Sequence, residues 1–160
     1  MAMIKRIGYG QVEPNHLSAQ RTGQIYAQLP ANSEIETLEN GMFVKYDLAA
    51  GEVNYDGVGE WMLVFNEIKL YDERKQTYKD YAMVKSDFNY GVMVPRVFKT
   101  NIGDIYTTNM VVEAEYVEGD ILIVGEDGIL VKGNGDMEWQ VAKVYTLADG
   151  QPAIKVVRVK

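Results

Sequence analysis

The sequence predicts a mainly β protein, a small antiparallel β-barrel or sandwich with an extended N-terminal arm and at most one short helix. Its turns carry the first sign. Asn40-Gly41, Asp56-Gly57, Asp127-Gly128 and Asp149-Gly150 are Asx-Gly pairs. Glycine accepts positive φ and the Asx side chain bonds its own backbone, so each pair favours a tight turn. The second sign lies between them, in short runs rich in β-branched and aromatic residues, the composition of strands. The third is scale. At 160 residues, 47% apolar and 24% charged, the chain has ordinary globular usage and the length of one domain or two small ones. A domain of this size hides roughly two thirds of the surface its unfolded chain exposes. There is no cysteine, so no disulfide supplements that core.

The first residues, Met1-Ala2-Met3-Ile4-Lys5-Arg6-Ile7-Gly8, are basic in part but lack the apolar stretch of a secretory signal. From Gly8 to Gln24 the chain is polar, glutamine-rich and poorly periodic. Little of it is expected in a core. It reads either as a free tail or as an extended arm that orders on a partner; Tyr9, Val12 and Leu17 tilt the reading to the arm. Residues 1–22 are therefore taken as the arm and residues 23–160 as the β-rich domain.

Strands are expected at residues 42–46, 61–68, 92–98, 121–124, 129–132, 139–147 and 153–159. The C-terminal third is the clearest. Ile121-Leu122-Ile123-Val124 and Ile129-Leu130-Val131-Lys132 flank Gly125-Glu126-Asp127-Gly128 as a hairpin, and a second hairpin turns at residues 148–152, where Pro152 suits the turn because it lacks an N–H. Several runs are apolar on both faces, so both sides of a sheet are covered, or one side meets a partner. Residues 70–82 tempt toward a helix, with Tyr71, Arg74, Tyr78 and Ala82 near one face and Asp72 and Glu73 early, where the helix dipole favours them. No good cap precedes the run, so a long loop with a single helical turn is the competing reading. The longest apolar runs, such as residues 62–65, span about four residues against the about 20 that a membrane helix needs, and the protein is expected to be soluble.

Little chemistry can be assembled from these residues. His16 is the single histidine, and without cysteine or a second histidine it cannot make the common zinc patterns. Ser18, Ser33 and Ser86 stand outside any nucleophile-elbow context. Glu113 and Glu115 alternate as on a strand face; a carboxylate pair can share a proton or hold a cation, but a solvated face is the plainer reading. Asp127 and Asp136 belong to turns, and Gly133-Asn134-Gly135-Asp136 lacks the calcium ligand ladder. Gly57-Val58-Gly59 and Gly133-Asn134-Gly135 stop short of phosphate-loop patterns. A net charge of −7 is opposite to the basic footprint of nucleic-acid binders. The expectation is a protein that is not an enzyme, with no metal and no cofactor.

Eleven tyrosines are the compositional signal that remains. Tyrosine joins a large apolar face to a hydrogen-bonding tip and suits packed interfaces. Tyr71, Tyr78, Tyr81 and Tyr90 gather around residues 70–82 and read as an oligomer or partner interface. Lys69, Arg74, Lys75, Lys79 and Lys85 interleave with them as on a single-strand nucleic-acid surface, but Asp72, Glu73, Asp80 and Asp87 cancel most of that charge.

A polar N-terminal stretch leading into an acidic, cysteine-free β-domain, with Gly119-Asp120-Ile121-Leu122-Ile123-Val124, Gly128-Ile129-Leu130-Val131 and the closing Ala148-Asp149-Gly150-Gln151-Pro152-Ala153-Ile154-Lys155-Val156, resembles the head-decoration, or cement, proteins of tailed bacteriophages. Residues 10–30 resemble the arms such proteins lay across capsid subunits. The resemblance implies a virion component made in the host cytoplasm and seated on the capsid surface. It also implies a homotrimer that binds the major capsid protein and adds stability after shell expansion, without cofactor or catalysis. On that reading Asn15, His16, Arg21, Gln24 and Tyr26 of the arm are the shell contacts. Residues 61–108 exceed what a minimal decoration domain needs, which leaves a minor capsid protein or head-fibre base as variants.

Two other classes stand beside it. One is a β-barrel module for a carbohydrate or small ligand, with Trp61, Trp139 or tyrosines as stacking platforms. The other is a carboxylate enzyme such as a glycoside hydrolase, which needs two acids about 5–10 Å apart in a cleft.

Overall fold

The computed structural model describes residues 2–18, 28–66 and 81–160. In chain order the strands are β1 (Ala2–Ile4), β2 (Val12–His16), β3 (Thr37–Glu39), β4 (Phe43–Asp47), β5 (Glu52–Asn54), β6 (Val58–Val64), β7 (Ala82–Val84), β8 (Val97–Phe98), β9 (Ile105–Thr108), β10 (Ala114–Tyr116), β11 (Ile121–Val124), β12 (Leu130–Lys132), β13 (Trp139–Thr146) and β14 (Pro152–Arg158). The predicted class holds: the protein is mainly β, built of antiparallel sheets, one of them curled through half a barrel. Among the described residues no helix is long and apolar enough to cross a membrane.

A six-stranded sheet runs in the order β12-β11-β13-β14-β9-β2, and a four-stranded sheet in the order β5-β4-β6-β8. Two small pairs, β1-β10 and β3-β7, complete the framework. The two C-terminal hairpins form where their turn chemistry places them. Val124 pairs with Leu130 and Ile123 with Val131; the loop between closes with Gly125 N–H donating to the Ile129 carbonyl at 2.8 Å, and Gly128 at φ +75 supplies the left-handed step. The second turn closes with Leu147 N–H on the Gln151 carbonyl at 3.0 Å. Pro152, expected in that turn, instead opens β14 opposite Thr146. The first position of a strand tolerates a residue with no N–H.

Alternation along β4 and β6 explains the two-faced apolar runs. Phe43 and Leu63 enter one core with Tyr106, Trp139, Ile154 and Val156. Their neighbours Val44, Met62 and Val64 enter a second core with Leu38, Val53, Met93 and Val97. Successive side chains of a strand point to opposite faces, so the four-stranded sheet is covered on both sides. Trp139 sits at the centre of the first core, edge-on to Tyr106 with ring centroids 5.1 Å apart and tilted against Phe43 at 5.9 Å.

Several expectations change. Of residues 92–98 only Val97–Phe98 form a strand; Pro95 within the run removes a ladder donor. The helix considered at residues 70–82 lies outside the described residues save its end, where Ala82 opens β7 rather than closing a helix. The largest change concerns the arm. Residues 2–18 do not stand away from the domain: β1 pairs with β10 and β2 with β9, and Ile4, Gln11, Val12 and Leu17 are buried.

Side chains, more than strand pattern, hold that segment. Gln11 N–H donates to Asn109 Oδ1 at 2.8 Å and Gln11 Nε2 to Asp149 Oδ2 at 2.8 Å. Asn109 Nδ2 donates in turn to Gln151 Oε1, which also takes the Ile7 N–H. Glu39 accepts from Arg6 and from the Gly10 N–H. At the far end buried Asp104 receives the Ser18 hydroxyl at 2.9 Å and the Ser18 and Asn101 N–H groups. Gly10 has no room for a side chain, since a Cβ there would lie 2.4 Å from the Asn40 carbonyl oxygen.

Candidate functional site

The outer face of the six-stranded sheet follows from register. Ile154 and Val156 point into the core, so Lys155 between them points out. Lys155 pairs with Thr107 of β9 on one side and Lys143 of β13 on the other. Thr107 pairs with Glu13 of β2, and Ile105 with His16. One row therefore crosses four strands, Glu13, Thr107, Lys155, Lys143, with Tyr145 two residues beyond Lys143 on the same face. The irregularity between Val141 and Lys143 inserts one extra residue into β13, which keeps both Val141 and Val144 on the core side.

Tyr145 anchors the basic end. Its ring lies 5.2 Å from Lys155 Nζ and 6.0 Å from Lys143 Nζ, cation–π contacts worth about 0.5–1 kcal/mol each at an exposed position. Like charges directly opposite in a ladder oppose pairing, and among the described residues no carboxylate forms an ion pair with either lysine. Glu118 is the acid whose field reaches Lys143; its carboxyl is held below the usual range first by the backbone N–H groups of Glu118 and Val144, with Lys143 a minor contributor. At the other end of the row the Thr107 hydroxyl donates to Asn15 Oδ1 at 2.7 Å.

The expected arm residues Asn15 and His16 thus sit exposed on this face, at the end of the edge strand β2. Arg21, Gln24, Tyr26, Tyr71 and Tyr78 lie outside the described residues. Tyr81 is half-buried and packs against the second core. Tyr90 is the opposite case: it is fully exposed and holds φ +65, the left-handed region, as no other described non-glycine residue does. That conformation costs an L-residue roughly 1–2 kcal/mol. Val92 and Val94 beside it are exposed too.

Neither tryptophan is presented as an open stacking platform. Trp139 is enclosed in the core, and Trp61 is half-buried beneath Lys45 Nζ, 4.6 Å from its ring centroid. The concavity between Tyr46, Leu48, Val58 and Met62 holds about 330 Å³ and presents no stacked aromatic pair. Glu113 and Glu115 are exposed, as a solvated face requires, and Lys5 lies 3.9 Å from Glu113. Among the described residues no group of three or more His, Asp or Glu side chains is placed to hold a metal ion.

Lys143, Tyr145 and Lys155 were not singled out from the sequence, yet a signal was present. That signal is the register set by the turn: Leu147 closes on Gln151 around residues 148–150, and counting outward from there pairs Tyr145 with Ala153 and Lys143 with Lys155, whereas counting from Asp149-Gly150 alone is one residue out. No family description, curated protein or solved structure matches the chain.

Proposed function

We propose that this protein is a non-enzymatic virion component that binds the outside of a phage capsid shell and stabilises it by added contacts. The supporting observation is that Asn15 and His16 stand exposed on β2, on the sheet whose outward row also carries Lys155 on β14 and Lys143 and Tyr145 on β13. Exposed polar and charged side chains on a sheet suit contact with a protein lattice better than they suit enclosure of a small molecule. Tyr90 adds to this reading: a strained, solvent-facing aromatic is a common mark of a contact residue. In this reading the shell contacts come from β2 and its sheet and not from a free arm, and many modest contacts gain strength from multivalency in a homotrimer.

The test is co-sedimentation with expanded capsid shells, read alongside the solution mass by light scattering. The full chain is expected to pellet with shells, to have trimer mass, and to pellet less when Asn15 and His16 are both replaced by Ala. Deleting the first residues is unsuitable, because β1 and β2 belong to the sheets. A full chain that stays in the supernatant with every shell sinks the proposal.

A further inference from the structure

We infer that the Lys143–Tyr145–Lys155 cluster receives a carboxylate-rich, extended segment of a partner protein. The inference rests on the contact reading above and names the chemistry of the partner.

The cluster sets like charges side by side. Two ammonium groups face each other across β13 and β14 in a chain whose net charge of −7 offers acids in plenty, yet among the described residues neither lysine has an ion-pair partner. Both ammonium groups lie within cation–π distance of the one Tyr145 ring, at 6.0 and 5.2 Å, and such contacts lower the ordering cost of binding. An arriving carboxylate would relieve the repulsion and gain charge-assisted hydrogen bonds.

The surroundings select among anions. Thr107, next in the row, is buried and already spends its hydroxyl on Asn15, and Glu13 ends the row with a negative charge. The positive patch is thus two lysines wide and closed by an acid. A nucleic-acid backbone needs a longer basic track than two lysines. An extended peptide places every second side chain on one face, about 6.6–6.8 Å apart, and so brings acids to two neighbouring cations without a long track.

The probe is a short fluorescein-labelled peptide of alternating Glu and Ser, titrated with the full chain and read by fluorescence anisotropy. Saturable binding is expected that weakens with salt and falls about tenfold in K143E/K155E. The control K5E, a single charge reversal away from this face, is expected to bind like the parent. K143Q/K155Q removes the charges without reversing them, is expected to melt cooperatively as the parent does, and should also lose the peptide. Unchanged binding in either double variant overturns the inference, as does an oligothymidylate of equal length binding as tightly as the peptide. The two readings separate cleanly. Shell binding that survives K143E/K155E removes this cluster from the contact and leaves the capsid proposal standing. A parent chain that takes the peptide but no shell sinks the capsid proposal and keeps the cluster.

Discussion

The two ends of the chain meet in one sheet but are held there by different means. β13 and β14 are a long hairpin with a short turn, backed by Trp139, Val141, Ile154 and Val156. β2 joins the opposite side of β14 through β9, and polar side chains far apart in sequence fix it: Gln11 to Asn109 and Asp149, Ser18 to Asp104. The hairpin is local and apolar. The N-terminal segment is non-local and largely polar. The contrast teaches that a stretch too polar to announce a core can still be built into one, provided its buried donors and acceptors find partners.

The sharpest way to break this comparison is to delete residues 1–18. If the segment were a detachable arm, the melting temperature would hardly move. The structure predicts loss of cooperative melting by circular dichroism. Ile4, Val12 and Leu17 alone represent about 1.5–3 kcal/mol each of buried apolar side chain, against a total stability of about 5–15 kcal/mol.

Next in size is Trp139→Ala, which empties the centre of the hairpin's core. A loss of about 3–5 kcal/mol is expected in urea unfolding. Asn109→Ala probes the polar half. It leaves the buried Gln11 N–H without its acceptor and should cost about 1–3 kcal/mol. A loss as large as that of Trp139 would mean that the polar network, not the packing, dominates the sheet; no loss would mean that the segment is held by packing alone.

The smallest effect is electrostatic. Lys132 first, and then the Val117 N–H, hold the Asp120 carboxyl below its usual value; Lys132 Nζ lies 2.8 Å away. Since the folded value lies below the unfolded one, near 3.9, this contribution is complete at neutral pH. It fades as pH falls below about 4 toward the folded value. For an exposed pair it amounts to about 0.5 kcal/mol. In Asp120→Asn, thermal melts should be lower by that amount at neutral pH and converge with the parent in acid. A gap that persists at the lowest pH would contradict the assignment.

What could be read in the sequence follows the same division. The hairpins of β11–β12 and β13–β14 were legible because glycine turns and β-branched runs lie side by side, and the covered sheet was legible in runs apolar on both faces. β2, β3, β5 and β9 were not, because their signals are weak or mixed: β2 contains Pro14 and Asn15, and β9 reads Ile-Tyr-Thr-Thr, whose Thr107 and Thr108 are fully buried. Of the face proposed for contact, Asn15 and His16 were named for a different reason, as parts of an arm. Lys143, Tyr145 and Lys155 become visible only once the register of β13 on β14 is counted from the turn. Tyr90 was named as one tyrosine of a cluster; its left-handed backbone has no sequence signal beyond the Gly91 that follows.

Pro14 has a consequence for how copies of the chain behave when crowded. An open strand at the end of a sheet is a template on which another copy can add by backbone hydrogen bonds, and such growth has no natural stopping point. Among the described residues β2 ends the sheet, and it carries a residue that has no N–H inside the irregular step between Glu13 and His16. At the other end the Val112 N–H already occupies the Leu130 carbonyl beside β12. Such interruptions at a sheet's ends disfavour indefinite strand addition and leave recognition to side chains, where sequence sets the partner and a filled contact ends the process.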